Sequence, residues 1–92
     1  MAGPLKGLKI LDFSTLLPGP YATMFLGDMG AEVLKIASGS RPDLAAFAPP
    51  MLPGTDLSFA TAFLGRGKQC MTLDLKKSEA ITIVHQLLAE YD

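Results

Sequence analysis

The chain has 92 residues, with 49 % hydrophobic and 18 % charged side chains and a formal net charge of -1 from 8 Lys plus Arg against 9 Asp plus Glu. One small domain is the upper bound at this length, and the balanced charge excludes a field that would gather nucleic acid or an anionic membrane surface. So apolar a composition on so small a body predicts that further protein covers part of its surface.

The start "MAGPLKGLKI" has neither the basic opening nor the long apolar run of an export signal, and no apolar stretch approaches the roughly 20 residues of a membrane span. A cytoplasmic protein is expected. The lone Cys70 cannot form an internal disulfide and reads as a buried, inert thiol in a strand.

Leu8 to Phe13 is almost continuously apolar, as a strand buried on both faces of a parallel sheet is. The loop "STLLPG" follows, and Pro20 is expected at the first helical position, where its missing N–H costs nothing. The helix should run to about Met29. Tyr21, Ala22, Met24, Phe25, Leu26 and Met29 leave it little polar face, which predicts an enclosed helix. Gly30 then supplies the positive φ that ends it, and Glu32 to Ile36 reads as a second strand. Leu8 to Ile36 thus has the length of a right-handed βαβ crossover.

In open parallel sheets ligands bind beyond the carboxyl ends of the strands, where helix N-termini present free N–H groups. Pro18-Gly19-Pro20 is not the G-x-G-x-x-G fingerprint, so its spacing is that of a structural turn. Residues 38–67 form a Pro-rich connection, in which Thr55 is expected to cap a short helix carrying Leu57, Ala60, Thr61 and Leu64 on one face. Cys70 to Leu75 alternates as a third strand. Arg66 and Lys68 before it, with Lys76 and Lys77 after it, read either as solvated charges or as contacts to an anion. Ser78 should cap a last helix whose apolar stripe is Ala80, Ile81, Val84, Leu87, Leu88 and Tyr91. His85 falls on its polar side, without partners at metal-ligand spacing.

No catalytic triad, metal set or Walker loop is assembled. Asp12 ends the first strand beside the Pro-Gly-Pro loop, where an aspartate more often ties down its own loop than catalyses.

Two separated stretches, "PLKGLKILDFSTLLPGPYATMFLGDMGAEVLKI" and "GRGKQCMTLDLKKSEAITIVHQLLAEYD", occur in an order that resembles the N-terminus of a family III CoA transferase, the group that also includes α-methylacyl-CoA racemases. The resemblance implies an α/β fold with a Rossmann-like parallel βαβ sheet, residues 1–92 being an N-terminal fragment of the CoA-binding large domain. It also implies an interlocked homodimer when intact. The site residues it carries over are Leu16, Leu17 and Pro18 against the adenine and ribose end of CoA, and Leu73, Leu75 and Lys76 holding the nucleotide. CoA or acyl-CoA would be a substrate, with no permanently bound cofactor and no metal, and a carboxylic acid would be the second partner. A catalytic aspartate is expected beyond this chain, so that the chain alone is inactive. Two alternatives stay open: a racemase using the same cradle, and a non-catalytic CoA or nucleotide-binding module. Ala37, Ser38 and Gly39 depart from the family's pattern after the second strand, with Arg41 the nearest basic substitute, and Gly65 replaces the asparagine common before Arg-Gly-Lys.

Overall fold

A computed structural model describes residues 3–38 and 43–92. Three strands, β1 (Lys9–Asp12), β2 (Glu32–Ala37) and β3 (Gln69–Thr72), form one sheet in the order β1-β2-β3. Both pairings are parallel, with Asp12 opposite Lys35 and Lys35 opposite Cys70. The crossover from β1 to β2 is α1 (Pro18–Asp28), so the βαβ unit read from the sequence is present.

Helix α1 begins earlier than expected. Pro18 occupies its first position and Pro20 its third, and both are tolerated because the first N–H groups of a helix have no internal acceptor. The helix ends at Asp28, with Met29 as its cap and Gly30 at φ 106 turning the chain into β2. A Cβ at Gly30 would also press on the backbone of Gly3, 3.1 Å away.

The core is small. Val33, Leu34 and Ile36 of β2, Met24 of α1, Leu64 and Ala80 are buried. The expectation that α1 is enclosed holds for one side only: Pro20 and Met24 are buried, while Tyr21, Phe25 and Met29, spaced four apart, are exposed. Tyr21 and Phe25 meet edge to face at 4.8 Å, covering part of each other in place of a partner.

The connection from β2 to β3 holds a 3-10 helix (Leu44–Phe47) and α2 (Phe59–Leu64). Ser58 caps α2, where Thr55 was expected: the Ser58 hydroxyl accepts from the Thr61 N–H at 3.0 Å and donates to the Ala45 carbonyl at 2.9 Å. Thr55 is occupied three residues earlier, where its hydroxyl donates to Leu52 and accepts from the Leu57 N–H.

β3 is shorter than the alternating run. Its partner β2 ends at Ala37, whose carbonyl takes the Leu73 N–H at 2.8 Å, and beyond it Asp74 turns the chain. The Asp74 carboxylate accepts from Lys76 N at 3.1 Å and its carbonyl from Lys77 N at 3.0 Å. That turn places Ser78 inside α3 (Ser78–Leu88) and makes Lys77 the cap residue, so Ser78 is not the cap. Of the expected stripe of α3, Ala80 is buried and Val84, Leu87 and Tyr91 half-buried, but Ile81 and Leu88 are exposed. His85 is exposed. The chain then returns to the start of β1, where Asp92 N donates to the Lys9 carbonyl at 2.8 Å and the Lys9 ammonium lies 4.7 Å over the Tyr91 ring.

Candidate functional site

The carboxyl ends of the three strands define the end of the sheet to which the loop after β1 and the turn after β3 both belong. The loop after β1 is held from below by Asp12, 3 % exposed. One carboxylate oxygen accepts from the Ser14 N–H at 2.7 Å and from the Ser14 hydroxyl. The other accepts from the Thr23 hydroxyl at 2.6 Å and the Lys68 ammonium at 3.2 Å. Burial pushes this carboxyl up, but the Ser14 and Thr23 hydroxyls, the Ser14 N–H and Lys68 outweigh it and hold the pKa below the ordinary carboxylate value. With both oxygens occupied by protein donors, Asp12 has no position from which to attack a substrate. It ties the loop, as strand-end aspartates commonly do.

Neither reading of the basic residues before β3 describes Lys68. It is no solvated charge and no open anion contact: its ammonium is buried on Asp12 and also donates to the Pro20 carbonyl at 3.1 Å. Arg66 is half exposed and meets both oxygens of Asp28 at 3.3 and 2.6 Å. Asp28 lies in the last turn of α1, where a carboxylate opposes the helix dipole, and Arg66 offsets that charge and holds the Asp28 carboxyl below its usual range.

Why Pro18-Gly19-Pro20 spells the start of α1 follows from the same loop. A Cβ on Gly19 would collide with the Ser14 side chain, so the loop folds back onto the helix only where no side chain stands.

Of the six residues carried over by the family resemblance, four border cavities. Leu16 and Leu17, 48 % and 60 % exposed, border a cavity of about 340 Å³ with Leu44 and Ala48. Leu73 and Leu75 border a smaller one of about 130 Å³ with Phe13, Thr15 and Ile36. A third, of about 400 Å³, runs from Leu16 past Ala45 and Ala60 to Cys70. Pro18 starts α1 at the loop's end, and Lys76 lies exposed in the turn after β3, bordering none of the three. Cys70 is exposed on the edge strand, in contrast to the buried thiol expected of it. Gly39 and Arg41 lie outside the described residues.

Lys35 and Asp43 were not singled out in the sequence, and they border both the 400 and the 130 Å³ cavities. They form a half-buried ion pair at 3.5 Å. Asp43 was visible only as an aspartate ahead of Leu-Ala-Ala, an ordinary cap pattern. Among the described residues no group of three or more His, Cys, Asp or Glu could hold a metal, and no helix is long and apolar enough to cross a membrane.

Three parallel strands joined through helices make this an α/β chain, with the loop after β1 and the turn after β3 at the carboxyl end of the sheet. The model of CoA-transferase family III matches residues 5–92, and the chain belongs to that family. It is 38 % identical to human succinyl-CoA:glutarate CoA-transferase over 90 residues, which is 97 % of this chain and 20 % of that protein. It is 32 % identical to mouse alpha-methylacyl-CoA racemase over 96 % of the chain and 19 % of the racemase. A CAIB/BAIF family protein from Brucella suis superimposes on all of the chain with a TM-score of 0.88 at 30 % identity, over 25 % of its own length. The chain therefore spans about a fifth of the length of the curated relatives it matches.

Proposed function

We propose that this chain forms one wall of a CoA site in an enzyme that moves CoA between carboxylic acids. The observation that carries the reading is convergence: two sequence stretches separated by the long connection meet at the carboxyl end of one parallel sheet, and both belong to the matched family. On this reading Leu16, Leu17 and Pro18 border the adenine and ribose, Leu73 and Leu75 flank the nucleotide, and Lys76 meets the 3′-phosphate as a compact point charge. CoA comes and goes as a substrate. Lys76 is exposed and makes no ion pair among the described residues, in contrast to Lys68 and Arg66. The acyl-carrying group lies outside the chain in this account, since Asp12 is fully committed to its loop. The exposed stripe Tyr21, Phe25 and Met29 supports a further protein surface over α1, for which a second subunit of an interlocked homodimer is our reading.

The racemase likeness favours a second reading, proton abstraction from an acyl-CoA held in the same cradle. One assay separates them. Protein containing this chain is incubated in deuterated water with succinyl-CoA paired in turn with glutarate and other carboxylic acids, and separately with a 2-methyl-branched acyl-CoA, and thioesters are resolved by mass spectrometry. A new glutaryl thioester without deuterium is the expected result. Deuterium entering a branched acyl-CoA with no new thioester from any acid pair would replace the transferase reading with the racemase one.

A further inference from the structure

We propose that Asp43 is a positioning residue for the CoA site, a clasp that sets the conformation of the Leu16–Pro18 loop; the functional half of this rests on the CoA reading above. Its side chain joins three elements. One oxygen accepts from the Leu16 N–H at 3.0 Å and from the Ala45 N–H at 3.0 Å, and the other faces the Lys35 ammonium at 3.5 Å. The loop after β1, the start of the 3-10 helix and the middle of β2 are thereby tied to one carboxylate.

The tie falls where the loop needs one. Leu16 has φ 66, and it is the one non-glycine residue with positive φ among the described residues. A branched L-residue is disfavoured in that region and stays there only when its surroundings hold it. Burial does not supply the hold, since Leu16 and Leu17 are among the more exposed apolar side chains of the chain. The carboxylate on the Leu16 N–H does. Capping of the 3-10 helix accounts for the bond to Ala45 but not for the bond to Leu16, which reaches back 27 residues. Lys35 balances the charge of the clasp and forms, with Asp43, the wall shared by two cavities. Orientation of Leu16 and Leu17 toward a ligand is thus set by a residue that need not touch the ligand.

Two variants of the protein containing this chain separate clasp from cap. Asp43→Asn keeps an oxygen for both N–H groups, whereas Asp43→Ser keeps a short hydroxyl able to cap Ala45 but unable to span to Leu16. Amide hydrogen exchange at Leu16 and the affinity for CoA at fixed salt are the readouts. In Asp43→Ser, Leu16 exchange accelerates and CoA binding weakens by about tenfold each, the scale of one hydrogen bond to a charged group, while Asp43→Asn stays within about threefold of wild type. Unchanged Leu16 exchange in Asp43→Ser overturns the clasp. Faster exchange with unchanged CoA affinity overturns the positioning role and leaves Asp43 a structural residue. Wild-type protein that binds no CoA defeats the CoA reading instead, and Leu16 exchange in the two variants still decides whether the clasp exists.

Discussion

The Lys68 ammonium lies 3.2 Å from the Asp12 carboxylate, and the two side chains are 3 % and 1 % exposed. This buried pair joins the start of β3 to the end of β1 across the strand between them, and through Thr23 and Pro20 it also fixes the first turns of α1. A buried pair adds little over a well-packed apolar substitute, but losing one partner strands the other charge. Lys68→Met should therefore destabilise the chain by about 3 kcal/mol or more, measured by urea unfolding, with Asp12 left to Ser14 and Thr23. A loss below about 1 kcal/mol would show that the pair is solvated in solution.

Acid acts on the same carboxylate. Because burial is outweighed by the Ser14 and Thr23 hydrogen bonds and Lys68, which hold the folded-state pKa of Asp12 below the ordinary carboxylate value of 3.8, its contribution is fully present above that value and is lost as pH falls through the lower folded-state pKa. Stability should be flat in this group between pH 7 and 5 and should fall below about pH 4. Asp12→Asn removes that part of the acid limb, so the pH dependence of unfolding should flatten below about pH 4 relative to wild type.

Gly19 and Gly27 both lie in α1, and they should respond to alanine in opposite ways. Gly27→Ala places its Cβ 3.6 Å from a Val33 methyl, ordinary contact, and gains helix propensity of up to about 1 kcal/mol. Gly19→Ala drives the new methyl into Ser14, and should cost about 1 to 3 kcal/mol and disturb the hydrogen bonds between Ser14 and Asp12. Thermal unfolding of the two variants checks the pair. Stabilisation by both would mean that the loop moves aside at no cost.

The βαβ unit was legible because its signals are local: continuous apolar runs for β1 and β2, prolines at the helix start and a glycine at its end. Strand β3 was legible as an alternation but not in its length, since its end is set by where β2 stops and by the Asp74 turn. Caps were misplaced at Thr55 and Ser78 for a related reason. Thr55, Asp56 and Ser58 all offer caps ahead of α2, and the distant Ala45 carbonyl selects Ser58, whereas the Asp74 turn that takes the Lys77 N–H starts α3 one residue before Ser78 could cap it. Lys68 and Asp43 were illegible as anchors because their partners lie 56 and 27 residues away, and no periodicity reports such a distance. The exposure of Tyr21, Phe25 and Met29 runs against an apolar pattern that speaks of enclosure, and the composition of the chain had already asked for a covering surface.

Lys76 carries the most specific part of the proposed site. Lys76→Met keeps an apolar stem and deletes the charge, so CoA affinity should fall by about 1 to 3 kcal/mol with little change in unfolding, and the loss should shrink as salt rises. Lys77→Met removes the same long-range charge one residue on, at the cap of α3, and isolates the local contact. Calorimetric titration with CoA compares the three proteins. Equal affinities would remove Lys76 from the site.

The claim that the Leu16–Pro18 loop and the turn after β3 together form a CoA site is tested most directly by a residue-resolved NMR titration of the protein containing this chain, first with CoA and then with CoA lacking its 3′-phosphate. CoA should shift the amides of Leu16, Leu17, Leu73, Leu75 and Lys76 together, and removing the 3′-phosphate should abolish the change at Lys76 while keeping those at Leu16 and Leu17. No shifts in these residues at saturating CoA, or shifts confined to residues away from the carboxyl end of the sheet, would contradict the account.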